Sequence, residues 1–298
     1  MRQIVCPVCH TSSTSQDQEE FSIVHCKECG VKWTYLSSDI NSDSLYEDEV
    51  YAIVDNRESI FEKIIFREAE KVLTKARRIQ HGLTRMLDFG CGKGQFMHVS
   101  NRMGFSTLGI ETATKRADFA REKYGLEVKN DFYSSGKIES GDFDFVTLNH
   151  VLEHLPYPMS LLKELLSQNL STKGLVYIEV PRADSWQSGI AGREWMHWDI
   201  PKHLTHWDEQ TLEQEMLKIG YQKVGDRKFS IHLGVLGMLQ ALLSKVGFRE
   251  NLILRLKRKK TFGLMALIVV FMPLAWIMEG LSTLSNKSGI LGLYFKKK

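Results

Sequence analysis

The sequence predicts an α/β protein: an open sheet alternating with helices, preceded by a small cysteine-rich unit and interrupted late by an apolar hairpin. Three observations carry this prediction. Leu87-Asp88-Phe89-Gly90-Cys91-Gly92-Lys93-Gly94 follows a strand-like start at Met86 and runs into a helical pattern over 95–103. An acid, Glu111, closes the next strand. Two C-x2-C pairs, Cys6/Cys9 and Cys26/Cys29, stand near the N-terminus.

The totals agree. With 298 residues and 43% hydrophobic content, the chain supports one sizeable core and a small second unit. A net charge of +3 is too small to imply a nucleic-acid partner by itself. The first residues, broken by Cys, Pro, His and Ser, do not read as a signal peptide. Four of the five cysteines pair as C-x2-C, which argues for metal and a reducing compartment, not disulfides.

Taken in order, 1–37 reads as a zinc ribbon. Two knuckles 16 residues apart suit four thiolates, Cys6, Cys9, Cys26 and Cys29, around one structural zinc, with Gly30 in the tight turn after the second. A closed four-sulfur site has no open position for catalysis. His10 and His25 are weaker ligand candidates. Residues 38–80 are a Ser/Asp-rich linker followed by a helix over 56–80, with apolar residues at Ile60, Ile64, Ile65, Ala69, Val72, Leu73 and Ala76. Tyr46 and Tyr51 are either surface aromatics or a cofactor lid.

Residues 81–232 form the core. Strands are expected at 85–89, 106–110, 126–129, 143–148, 175–180 and 221–231, with helices at 114–124, 159–169 and 208–219. Gly90, Gly92 and Gly94 let the backbone turn tightly and approach a ligand, and the following helix N-terminus presents free N–H groups. Glu111 lies where a carboxylate binds ribose hydroxyls. Asp131 is either a turn cap or part of a nucleotide pocket. Asn149 and His150 fall at the C-terminal edge of the sheet, where open α/β sheets bind ligands. His154 is a general-base candidate or a structural histidine. Residues 184–207 hold four of the six tryptophans and three of the ten histidines, a composition suited to an aromatic-walled substrate site or a packed lid.

The glycine string, with G-x-G-x-G spacing and Asp88 before it, resembles motif I of the class I S-adenosylmethionine (SAM) methyltransferases, and Val151-Leu152-Glu153-His154-Leu155 resembles a later motif of that family. The resemblance spans about residues 84–231 and returns at the C-terminal end. It implies a Rossmann-like seven-stranded sheet. It also implies that SAM is held by Asp88, Gly90, Gly92, Gly94, Glu111, Asp131, Phe132, Asn149 and His150. Asp199-Ile200-Pro201-Lys202-His203-Leu204-Thr205-His206 resembles the D-x-P-[RK]-H-L-x-H string of a subgroup near bacterial surface-polysaccharide and lipid-linked glycan functions. That resemblance nominates Asp199, Lys202 and His206 for the substrate and His203 for catalysis, beside His154 of the earlier motif. Lys202 suits an anionic group.

Residues 233–286 form the apolar hairpin, and 287–298 the final strand. Within the hairpin a basic run (Arg255, Lys257, Arg258, Lys259, Lys260) precedes 17 residues, 262–278, without a charge. Three readings stand: a hairpin dipping into one leaflet, a buried or dimer face, and a true span. The function expected is methylation of an oxygen on a sugar, glycan or lipid-linked small molecule, in the cytoplasm at the inner membrane face. A non-catalytic scaffold and an RNA methyltransferase are the alternatives.

Overall fold

The computed structural model describes residues 2–15, 21–36, 59–258 and 261–298. The linker read at 38–55, with Tyr46 and Tyr51, and residues 56–58 of the expected helix lie outside them.

Strand β1 (Arg2–Val5) pairs antiparallel with β2 (Ser12–Ser15), and β3 (Phe21–His25) with β4 (Lys32–Leu36). The knuckles between them close alike: the N–H of His10 bonds the Cys6 carbonyl, and that of Gly30 the Cys26 carbonyl. His10 and Gly30 both take positive φ, at 59° and 80°. A glycine meets that demand without strain, whereas His10 adopts it against steric preference.

Helix α1 (Ile60–Ile79) starts where the Ser59 hydroxyl accepts the Glu62 N–H. Next come β5 (Arg85–Phe89), α2 (Gln95–Arg102), β6 (Ser106–Ile110), α3 (Thr114–Tyr124), β7 (Val128–Lys129), β8 (Phe143–Asn149), α4 (Pro158–Asn169) and β9 (Leu170–Pro181). After α5 (Trp186–Ala191) the chain forms β10 (Thr205–His206), α6 (Glu209–Lys218) and β11 (Tyr221–Arg227). Helices α7 (Leu236–Lys245), α8 (Leu252–Arg258) and α9 (Phe262–Leu284) then lead to β12 (Ile290–Lys297).

The main sheet has seven strands in the order β11-β12-β9-β8-β5-β6-β7. Strands β5 to β9 run parallel, and β12 lies antiparallel between β9 and β11. The expected insertion of the hairpin between the last two strands is therefore present. Period-two alternation splits the strand side chains between two cores. Met86, Phe145, Tyr177 and Tyr294 face α1, α2 and α3. Leu87, Val146, Ile178 and Leu293 face α4 and α6, and that core runs on without a break into Val31, Trp33 and the cysteines.

The boundaries that differ from expectation include three in the main sheet. Strand β9 begins at Leu170 rather than at 175, because the intervening residues pair with β8 across an irregularity between Phe143 and Phe145. Strand β7 is shorter, since Leu126 turns inward to pack beside Gly94. Strand β11 ends at Arg227, because the Ser230 hydroxyl caps a π-turn over Ile231–Val235.

Candidate active site at the sheet edge

The glycine loop leaves β5 with Gly90, Gly92 and Gly94 at φ 72°, 55° and 75°. The N–H groups of Gly90 and Cys91 bond the Ile110 carbonyl, which fastens the loop to β6. A Cβ on Gly90 would meet Val151 Cγ2 at 2.4 Å, and one on Gly94 would meet Leu126 Cδ1 at 2.4 Å. Space beyond Gly92 is open: a Cβ there meets nothing within 4 Å.

Glu111, 6% exposed, faces this loop. Its Oε2 accepts the Gly92 N–H at 2.9 Å and its Oε1 the Ala113 N–H at 2.8 Å. Each carboxylate oxygen has a second lone pair for a ligand hydroxyl. Asp88, 2% exposed, accepts from Thr147 Oγ1 at 2.6 Å and from Asn149 Nδ2 at 3.4 Å. Burial, aided by the charge of Glu111, pushes its carboxyl up to about 7 despite those bonds. At the far rim Asp131 Oδ1 accepts the Phe132 N–H at 2.7 Å, and the Phe132 ring is 74% exposed. A phenyl ring left that bare has no part in the core and is available to stack on a ligand.

His150, just past β8, holds φ 54°. Its Nδ1 lies 3.3 Å from Glu153 Oε1 and its Nε2 3.2 Å from Glu179 Oε1. Burial opposes its charge, but the two carboxylates override that and raise it to about 9. The same contact overcomes the burial of Glu153 and brings it down to about 2. Glu179 also accepts from Tyr177 and Arg227, and Arg227 reaches Glu68 at 3.1 Å. A buried ionic chain thus runs from the sheet edge to α1.

His154 Nδ1 bonds the Lys202 carbonyl at 3.0 Å, and His203 Nδ1 the His197 carbonyl at 2.8 Å. The two rings meet edge to face, centroids 4.7 Å apart. Burial and the neighbouring His203 lower His154 to about 4, so the ring is neutral near pH 7. His206 Nε2 lies 2.9 Å from Thr34 Oγ1, which itself donates to the His203 carbonyl at 2.7 Å. Strand β10 pairs with β4, with Thr205 opposite Trp33. The loop carrying Asp199, Lys202 and His203 is therefore clasped between the cysteine unit and the sheet. Lys202 is buried, and Asp199 Oδ2 stands 4.0 Å from His203 Nε2.

The four cysteine sulfurs cluster, with Cys6 and Cys29 3.8 Å apart and Cys9 and Cys26 3.6 Å apart. A tetrahedral cation with bonds of about 2.3 Å needs ligand separations of about 3.8 Å, so the cluster has the dimensions of a four-thiolate zinc site. His10 and His25 are exposed and do not join it.

The structure thus brings Asp88, the glycine loop, Glu111 and Asn149 to one edge. His150, His154 and His203 stand beside them, and His206 faces the cysteine unit. Sequence reasoning missed Thr147, Glu153, Glu179 and Arg227 as site partners. A charged residue inside the apolar run Leu175-Val176-Tyr177-Ile178-Glu179-Val180 was the available signal for Glu179.

A methyltransferase-domain family matches residues 55–225. Among curated proteins, the ubiquinone biosynthesis O-methyltransferase of Nitrosococcus oceani is 33% identical over 84 residues, 26% of this chain and 36% of that protein. The enzyme of the same name from Xanthomonas campestris pv. campestris is 26% identical over 151 residues, 47% of this chain and 62% of that protein. The chain thus spans less than two thirds of the length of these relatives. Two solved structures share the fold. A SAM-dependent methyltransferase from Archaeoglobus fulgidus superposes with TM-score 0.51 at 18% identity, covering 86% of this chain and all of that one. The plantazolicin methyltransferase BpumL superposes with TM-score 0.53 at 17% identity, covering 86% and 94%.

Proposed function

Since the chain belongs to the class I SAM-dependent methyltransferase family, matched over more than half its length, we propose that it methylates an oxygen of a sugar or glycan acceptor carried on a lipid, at the inner face of a bacterial membrane. SAM supplies a methyl group on an electrophilic sulfonium. In this reading Glu111 takes the ribose hydroxyls, Asp131 and Phe132 hold the adenine, and Asp88, Asn149 and His150 border the methionine end. The open space beyond Gly92 and the bare Phe132 ring support that assignment. The chain's contribution to the displacement is alignment of acceptor oxygen, methyl carbon and sulfur. Asp199, Lys202, His203 and His154 are the acceptor-side groups. His206, bonded to Thr34, acts there by holding the loop. We read the four thiolates as a structural zinc site that fixes β4, and through β4 the same loop.

The observation that carries the lipid-linked acceptor is the bare side of α9. Phe262, Val269, Val270, Ile277 and Leu284 are 60–91% exposed on a helix long and apolar enough to cross a membrane. Its other side is bolted to the protein. Glu279, fully buried, accepts from the Gln187 side chain at 3.0 Å and the Gly289 N–H at 2.9 Å, and Leu264 and Ala275 pack with α7. A helix held along one side and greasy along the other suits the plane of a lipid surface, and the sequence around it is basic, which suits anionic headgroups. The O-methyltransferase name of the relatives supports oxygen as the nucleophile.

The test is to incubate the protein with methyl-labelled SAM and with membrane-lipid, soluble-glycan and RNA fractions. Label is expected in the lipid fraction. Label confined to RNA or to water-soluble glycan overturns the acceptor assignment.

A further inference from the structure

Gln187, in the first turn of α5, is fully buried, and both of its amide hydrogens are used. Its Nε2 donates to the Gly234 carbonyl at 2.6 Å and to Glu279 Oε2 at 3.0 Å, and its Oε1 accepts from the Trp195 indole at 3.5 Å. A carbonyl only accepts and an indole N–H only donates, so these partners fix which way the amide faces. Backbone crowds it from two sides. A Cβ on Gly289 would meet Gln187 Nε2 at 1.9 Å, and one on Gly237 would meet Oε1 at 2.3 Å. Gly237 lies inside α7, where a glycine costs helix stability, and the room the amide takes accounts for it.

The three partners belong to different elements. Glu279, also fully buried, sits on α9 and accepts the Gly289 N–H with its other oxygen at 2.9 Å. Gly234 belongs to the π-turn before α7. Trp195, 3% exposed, begins the loop that carries His203. Its ring stands 5.3 Å from that of His197 and 5.0 Å from that of Trp198, both edge to face. The His197 carbonyl in turn accepts from His203 Nδ1 at 2.8 Å. An unbroken run of contacts thus joins α9, bare on its outer side, to His203. A buried polar network whose members are satisfied rigidifies what it joins.

We propose that Gln187 is a positioning residue: it transmits the state of α9 to the loop of 195–204, so that the surface under α9 sets how firmly the acceptor-side groups are held. The coupling stands on the contacts above, and its use rests on the lipid-linked acceptor reading. A lipid surface that restrains α9 removes motion from the loop through this amide, and the entropy that acceptor binding would lose there is then already lost. Acceptors carried in that surface are thereby favoured over the same groups free in water.

The test is a double-mutant cycle read by amide exchange on the full chain without lipid. Gln187→Met and Glu279→Met each keep the length of the side chain and remove its polar end. Each is expected to speed exchange over 195–204 about tenfold, while β5 and β6 keep their wild-type rates. The double variant is expected to be no faster over 195–204 than Gln187→Met alone, because Glu279 acts through the amide. If Glu279 merely anchors α9, the change is confined to α9 and residues 287–290, or the two effects multiply; either result overturns the proposal. Should the Met variants fail to fold, Glu279→Gln, which keeps one of the two bonds, is read for the same change over 195–204. Vesicles of phosphatidylglycerol and phosphatidylcholine are then added. Wild type is expected to float and to exchange more slowly over 195–204, and Gln187→Met to float without that slowing. Flotation with no slowing in wild type, or equal slowing in the variant, overturns the proposal and leaves the lipid reading standing. Absence of flotation sinks the lipid reading alone, and the cycle still decides the coupling.

Discussion

Gly90 and Gly92 are two residues apart in one loop and answer to different constraints. At Gly90 a methyl group strikes Val151 Cγ2 at 2.4 Å, so Gly90→Ala disturbs the fit of the loop on the chain leaving β8. At Gly92 the same methyl meets open space and only the φ of 55° resists it, a cost of about 1–2 kcal/mol. Gly92→Ala is therefore expected to keep most of the melting temperature and weaken SAM at least tenfold, while Gly90→Ala lowers the melting temperature more. Calorimetry and thermal melts on both variants check this, and equal SAM affinity in wild type and Gly92→Ala contradicts it. Asp88, Glu111 and the glycines were legible because strand, turn and acid are adjacent in the chain. Glu179 was not, because what makes its buried charge tolerable sits far off: Arg227 is 48 residues from it. Only folding reveals such partners.

Among the elements, α2, α3 and the central strands were read to within a residue or two, since each carries its own periodicity and stop signals. Strand β10, two residues long, had no such pattern; it exists because β4 offers it an edge. Helix α9 was expected over 17 uncharged residues and runs for 23. The extra turns follow from Glu279, which sequence alone marks as the end of the apolar stretch but which is satisfied internally by Gln187 and Gly289. The exposed side of α9 gives a test at this scale. The double substitution Val269→Glu, Val270→Glu touches side chains about 70% exposed. It is expected to abolish flotation with anionic vesicles and to shift stability by less than about 0.5 kcal/mol. Undiminished flotation removes lipid as the partner of this helix.

At the scale of the molecule, the cysteine unit and the sheet are one body. Cys6, Cys26, Cys29 and Trp33 share a core with Leu212, Met216 and Trp207, and Thr34 bonds the loop at His203, Leu204 and His206. Stripping metal from the four thiols, or Cys26→Ser, is therefore expected to speed amide exchange across 203–206 and lower the melting temperature. Exchange confined to residues 2–36 would mean that the two parts fold independently.

Strand β12 carries one more implication. It fills the gap between β9 and β11, so β9 has an open edge on that side and β11 has no partner in the sheet until residues 290–297 are in place. The greasy segment at 262–284 immediately precedes it in the chain. Residues 285–289 alone join that segment to β12, so any displacement of the helix is handed directly to the strand that closes the sheet.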